Sequence, residues 1–185
     1  MEKITLDLLT EADIKEIDGW KKAYKDNDDF TRIIYYIMGG MSSNIAGLLK
    51  DLHDKNPIGQ DELNLVLCAK QDGEIVGVIV ADMFAKKTPK PELYIHFIFT
   101  RPTLQAKGIG KLMLKTFFAN LKSYFKTQPK TVFANIDKTN EASQKLFRSF
   151  GLVSQDKDTY DSTLRQFKTT YENILQILQS QEKAQ

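Results

Sequence analysis

The chain has 185 residues and is almost charge-balanced, with 26 Lys and Arg against 24 Asp and Glu and a formal charge of +2 at pH 7. That length suits one domain with a sizeable core, and that charge gives neither a nucleic-acid nor a membrane-surface footprint. Cys68 is the one cysteine, so no intrachain disulfide can form; no apolar run approaches the ~20 residues of a membrane span, and Met1-Glu2-Lys3 lacks the apolar core of a signal peptide.

A cytoplasmic location is therefore the expectation. Cys68 sits in an apolar run and reads as a small buried hydrophobe. In chain order, Ile4, Leu6 and Leu8 alternate with polar neighbours and predict a half-buried strand over Lys3 to Leu9. Thr10 offers an N-cap with Asp13 three residues on, and Ile14, Ile17, Trp20, Ala23 and Tyr24 follow at helical spacing. Asp26, Asn27, Asp28 and Asp29 break the pattern. Helical stretches are expected from about Phe30 to Met38 and from about Ser42 to His53, closed by Asn56-Pro57-Ile58-Gly59. Leu63 to Lys70 reads as a strand, Gln71-Asp72-Gly73-Glu74 as a hairpin turn and Ile75 to Phe84 as the returning strand. Lys86 to Pro91 is a loop.

The next stretch organises the rest. Leu93 to Thr100 is β-branched and aromatic, and Pro102 ends it. Lys107-Gly108-Ile109-Gly110-Lys111 is a glycine turn, after which Ile109, Leu112, Met113, Phe117 and Leu121 recur at helical spacing to about Lys126. A strand, a glycine turn and a helix aim free N–H groups and the positive end of a helix dipole at one point, which suits phosphate. A P-loop fails, because Gln105 stands at its first glycine and Leu112 at its hydroxyl; a dinucleotide fingerprint fails because Met113 stands at its third glycine. Beyond this, Thr131 to Asp137 is a strand, and Thr139 or Asn140 caps a helix running to Phe150 that Gly151 ends. Leu164, Phe167, Tyr171, Ile174, Leu175 and Leu178 fall on one helical stripe, so Asp161 to Gln179 is expected to be a long helix with Ser162 as its cap. That helix either folds back on the domain or builds a homodimer.

The run Pro102-Thr103-Leu104-Gln105-Ala106-Lys107-Gly108-Ile109-Gly110 resembles the Gln/Arg-x-x-Gly-x-Gly/Ala motif of the GNAT superfamily of acyl-CoA N-acyltransferases. Asn140, Ala142, Leu146 and Gly151 resemble the family's later motif in register. Together the two motifs cover about Leu93 to Leu152. The resemblance implies an α/β (α+β) GNAT fold over 1–185. Its mixed central sheet is flanked by helices, with a cofactor-binding core about 63–152; the family usually supplies two more strands after Gly151, and the C-terminal helix read over about 161–180 departs from that pattern. It implies acetyl-CoA as co-substrate and transfer of its acetyl group to a primary amine, on a small molecule or a peptide. Nucleic acid and membranes are not expected partners, and no metal ligands are assigned.

By the same resemblance, a backbone N–H near Ile98, Phe99 and Thr100 supplies the oxyanion donor. Gln105, Ala106, Lys107, Gly108, Ile109, Gly110 and Lys111 form the pyrophosphate cradle. Asn140 and Phe147 also meet the cofactor. Phe147 stands where the family usually has a tyrosine that protonates the leaving thiolate, and it has no proton to give. The bland reading of Gly108 and Gly110 is an ordinary strand-to-helix turn. If Leu93 to Thr100 alternates, Tyr94, His96, Ile98 and Thr100 share one face, and Leu93, Ile95, Phe97 and Phe99 form a wholly apolar face that packs on helices. His96 then faces the cofactor and is the candidate general base; its bland reading is a core histidine bonded to a carbonyl. Glu92, Tyr94 and Asp82 are weaker candidates. Asp26, Asp28 and Asp29 could attract a cationic amine or form a solvated loop, and Phe30, Tyr35 and Tyr36 could line an acceptor pocket or the core. The rival reading is an acyl-CoA-binding module without catalysis.

Overall fold

Alternating and continuous apolar runs build the sheet, and the glycine turns and caps place the helices on it. A computed structural model describes residues 3–22, 64–84, 90–155 and 162–183. The strands are β1 (Thr5–Leu8), β2 (Asn64–Gln71), β3 (Glu74–Phe84), β4 (Glu92–Thr100), β5 (Thr131–Asp137), β6 (Val153–Ser154) and β7 (Leu164–Thr170). The helices are α1 (Glu11–Asp18), α2 (Ile109–Ala119), α3 (Leu121–Tyr124), α4 (Glu141–Arg148) and α5 (Tyr171–Lys183), with 3-10 turns at Gly19–Lys22 and Pro102–Leu104. One mixed sheet carries the strands in the order β1-β2-β3-β4-β5-β7-β6. Every neighbouring pair is antiparallel except β4 and β5. The helices expected near 30–38 and 42–53, with Asp26, Asp28, Asp29, Phe30, Tyr35 and Tyr36, lie outside the described residues.

Local chemistry explains the boundaries. Thr10 and Asp13 form a full capping box at the start of α1. Asp72 (φ 52°) and Gly73 (φ 84°) close the β2–β3 hairpin in left-handed geometry, as the Asp-Gly pair predicts. Gly151 (φ 78°) follows α4, with its N–H donating to the carbonyl of Arg148 and that of Leu152 to Phe147, so the helix stops as expected.

Two apolar layers cover the sheet. On one side α2, α4 with the turn after it, and α5 contribute Met113, Phe117, Phe118, Phe147, Phe150, Ile174 and Leu178 against Leu67, Ile79, Met83, Leu93, Val132 and Phe167. On the other, Ile14, Ile17 and Trp20 cover Val66, Cys68, Val78 and Val80, with Phe97 and Phe99 packed beside them. Cys68 is fully buried there, and burial pushes its thiol up to about 12. Among the described residues no helix is long and apolar enough to cross a membrane.

Two expectations are corrected. The tail is not one helix from Asp161: Leu164 and Phe167 belong to β7, which pairs with both β5 and β6, and the helix begins only at Tyr171. Sheet pairing on both edges outweighs a local helical stripe. Nor does β4 alternate strictly. Val80 pairs with Phe97 and Ala81 with Ile95, so His96 is an extra residue in a β-bulge. The bulge sends Leu93 and Ile95 to one apolar layer and Phe97 and Phe99 to the other, while Ile98 rejoins the first. The wholly apolar face of Leu93, Ile95, Phe97 and Phe99 therefore does not exist.

Candidate active site

The site begins where the sheet comes apart. The parallel strands β4 and β5 pair only at Glu92–Thr131, Leu93–Val132 and Tyr94–Phe133. Beyond Tyr94 and Phe133 the two strands continue without a shared ladder, and a cleft of about 200 Å³ lies between them. Its walls include His96, Ile98 and Phe99 from β4, Asn135 and Asp137 from β5, and Asn140, Ser143 and Phe147 around α4. A strand edge that faces a gap instead of a neighbour presents its N–H and C=O groups to whatever fills the gap.

The glycine turn stands beside this opening. Gln105 is extended, Ala106 has φ 60° and Gly108 φ 81°, and no side chain caps the N-terminus of α2. The first intrahelical bond there runs from the N–H of Leu112 to the carbonyl of Gly108, so the N–H groups of Ile109, Gly110 and Lys111 have no partner within the helix. Successive N–H groups in mixed left- and right-handed geometry form an anion-binding concavity. A methyl at Gly110 would sit 3.4 Å from Leu146 and 3.8 Å from the Thr100 methyl, so the turn, the end of β4 and α4 converge at this glycine. Lys107 and Lys111 are exposed there. Asn140 spends its side-chain oxygen on the N–H of Ser143 (3.0 Å) as the N-cap of α4.

His96 is brought to the cleft by the bulge. Its Nε2 lies 2.5 Å from Oδ2 of Asp82, a carboxylate on the neighbouring strand that is 9% exposed. The Tyr94 ring stands 4.0 Å from the imidazole and stacks on Phe133 at 4.7 Å. Asn135 donates from Nδ2 to the Tyr94 hydroxyl (3.4 Å), and its buried Oδ1 has no hydrogen-bond partner among the described residues. Glu92 is not poised to take a proton. Burial alone would raise its pKa, but bonds from Lys168 Nζ (2.6 Å) and the Thr131 hydroxyl (2.9 Å) prevail and hold it below the usual range.

Of the residues singled out in the sequence, Tyr94, His96, Ile98, Phe99, Asn140 and Phe147 line the cleft, while Gln105 to Lys111 do not, their turn meeting Thr100 and Leu146 at Gly110. Phe147 is buried, and the hydroxyl-bearing Ser143 shares the cleft one helical turn before it. Asn135 and Ser143 were missed. A polar residue at the alternate position of an otherwise inward-facing strand was the available signal for Asn135.

This geometry can be set beside known proteins. Residues 31–152 match the acetyltransferase (GNAT) family. The chain belongs to the GNAT family. Solved structures share the fold at low identity. A spermidine N-acetyltransferase SpeG chimera from Vibrio cholerae and hSSAT is 13% identical with a TM-score of 0.62, over 94% of this chain and 98% of that one. An aminoglycoside N(6′)-acetyltransferase from Legionella pneumophila is 14% identical with a TM-score of 0.61, over 95% and 96%. The N-acetyltransferase PseH of Campylobacter jejuni, solved with acetyl coenzyme A, is 21% identical with a TM-score of 0.53, over 90% and 98%. A comparison with curated proteins gives no significant match.

Proposed function

We propose that this GNAT chain is an N-acetyltransferase that transfers the acetyl group of acetyl-CoA to a primary amine by direct attack. The observation that carries this reading is the opening between β4 and β5, whose shared ladder stops at Tyr94 and Phe133 and whose cleft is walled by His96, with the α2 turn meeting the end of β4 at Gly110. The donor set suits acyl-CoA. The open N–H groups at Ile109, Gly110 and Lys111 match a pyrophosphate, flanked by the positive charge of Lys107 and Lys111. The stretches of β4 and β5 beyond their shared ladder suit an extended arm bearing amides, and Oδ1 of Asn135, buried with no partner among the described residues, calls for an N–H donor. When bound, the thioester supplies the acetyl group.

The chain's own task is to hold the amine and remove its proton. An alkyl ammonium has a pKa of ~10.4, so at neutral pH it must lose a proton before its nitrogen can attack. His96 takes that proton, directly or through a water. A thiol leaving group has a pKa of ~8.5 and can depart as thiolate, so Phe147 in place of a proton donor does not block turnover. Backbone N–H groups on β4 near Ile98, Phe99 and Thr100 steady the developing oxyanion. The acceptor class spans polyamines, amino sugars, arylalkylamines and peptide amines. Spermidine and aminoglycosides, named in the similar structures, head the panel.

Calorimetric titration with acetyl-CoA, against desulfo-CoA, ATP and NAD, tests the reading. Binding of acetyl-CoA far above ATP and NAD is expected, followed by turnover with at least one amine. A folded sample that ignores acetyl-CoA would overturn it. The buried Phe147 favours one alternative, a module that binds acyl-CoA without catalysis, and tight binding with no turnover across the panel would select it.

A further inference from the structure

Asp82 is out of place by composition. It interrupts β3, where every residue from Ile75 to Met83 is buried. A carboxylate in such a strand costs several kcal/mol unless it is paired. It is paired with the Nε2 of His96, which is there because β4 carries one residue too many at that point. The other ion pairs of the described residues have no member in the cleft wall: Lys70 with Asp13, Arg101 with both Glu16 and Glu74, Lys168 with Glu92, and Lys145 with Glu141 within α4. The Asp82–His96 pair instead has its imidazole in the cleft wall, flanked by the rings of Tyr94 and Phe97.

We infer that Asp82 is a positioning residue: its carboxylate fixes His96 in the tautomer that carries its hydrogen on Nε2, leaving the lone pair on Nδ1 to accept the proton of the amine. This rests on the acetyltransferase reading above. An ionised carboxylate accepts and cannot donate, so with a carboxylate at Asp82, 2.5 Å away, the neutral ring keeps its hydrogen on Nε2. In the step itself, an N–H bond of R–NH3+ breaks and its electrons remain on nitrogen as the lone pair of R–NH2. The proton joins Nδ1, giving an imidazolium with hydrogens on both nitrogens. Asp82 stays ionised, and its bond to Nε2–H becomes charge-assisted. A carboxylate that orients an imidazole in this way acts through the ring and never touches the substrate.

The chain has two histidines, so His53→Gln leaves His96 as the only imidazole to observe. In that background, long-range 1H–15N spectra at a pH where the ring is neutral should show hydrogen on Nε2. Asp82→Asn, whose amide can donate to Nε2, should shift the ring towards hydrogen on Nδ1. It should also lower kcat about 100-fold, with acetyl-CoA affinity changed less than about 2-fold. Hydrogen on Nδ1 in the protein with Asp82 intact would overturn the inference even if Asp82→Asn does not fold. An unchanged tautomer with kcat within about 3-fold in Asp82→Asn would overturn it as well. Failure of acetyl-CoA to bind would sink the enzyme reading instead, and the spectra need no ligand, so the two failures are told apart.

Discussion

A side chain at Gly110 would meet the last residue of β4 and Leu146 of α4 at once. Alanine there meets Leu146 at ordinary contact distance, so Gly110→Ala should keep both fold and ligand. Gly110→Glu places a carboxylate among N–H groups that the proposed function assigns to pyrophosphate. Acetyl-CoA affinity should then fall by about two orders of magnitude or more while the circular dichroism spectrum is unchanged; retained affinity in the folded variant would contradict the cradle. Residues of this kind were legible in the sequence because the motif is local: Gln105 to Lys111 act through consecutive backbone groups. The partner of His96 was not. Asp82 lies 14 residues away, and which of its neighbours it faces depends on a bulge that shifts the register between β3 and β4. Sequence alternation assumes an unbroken pleat, and the site is built where the pleat is broken.

At the scale of an element, α1 is held by its first residues. Asp13 bonds Thr10 and pairs with Lys70 of β2 at 2.9 Å, joining helix to sheet. Burial works against its ionised form, yet the bonds from Lys70 and Thr10 prevail and keep its pKa below the usual aspartate value. A depressed carboxyl pKa means that the folded state binds protons less readily than the unfolded one. The stability it contributes is complete above about pH 4 and is lost as pH falls through the lower folded value. Asp13→Asn should therefore cost about 1–2 kcal/mol at pH 7 by urea denaturation, and its deficit relative to the parent chain should shrink below about pH 4. A deficit that does not change with pH would assign the loss to packing alone. The capping box was readable because its two members are three residues apart. β7 was not, since its one fully buried residue, Phe167, happens to fall in step with the helical stripe of α5. Only pairing with β5 and β6, both distant in the chain, makes it a strand.

For the whole molecule, that same strand decides what a truncation does. Removing Asp161 to Gln185 takes out an interior strand and the buried side chains Phe167, Tyr171, Ile174 and Leu178. The shortened chain should show no cooperative thermal transition, and a truncated protein that melts cooperatively would refute the topology. Oligomeric state must therefore be measured on the full chain. The order of strands, helices and turns around the centre was legible as a resemblance, because two short motifs bracket one βαβα passage. The same resemblance implies that the middle strands splay apart, but the point where they part was not legible, since nothing local marks Tyr94 and Phe133 as the last paired residues. That division has a mechanical side. Within the sheet the antiparallel block β1-β2-β3-β4 and the block β5-β7-β6 are laddered through three residue pairs, while one apolar helical layer packs across both. An extended ligand hydrogen-bonded to both edges would act as a temporary eighth strand. Occupancy and rigidity would then be one quantity, and the protein would be stiffest while loaded and loosest at the moment product leaves.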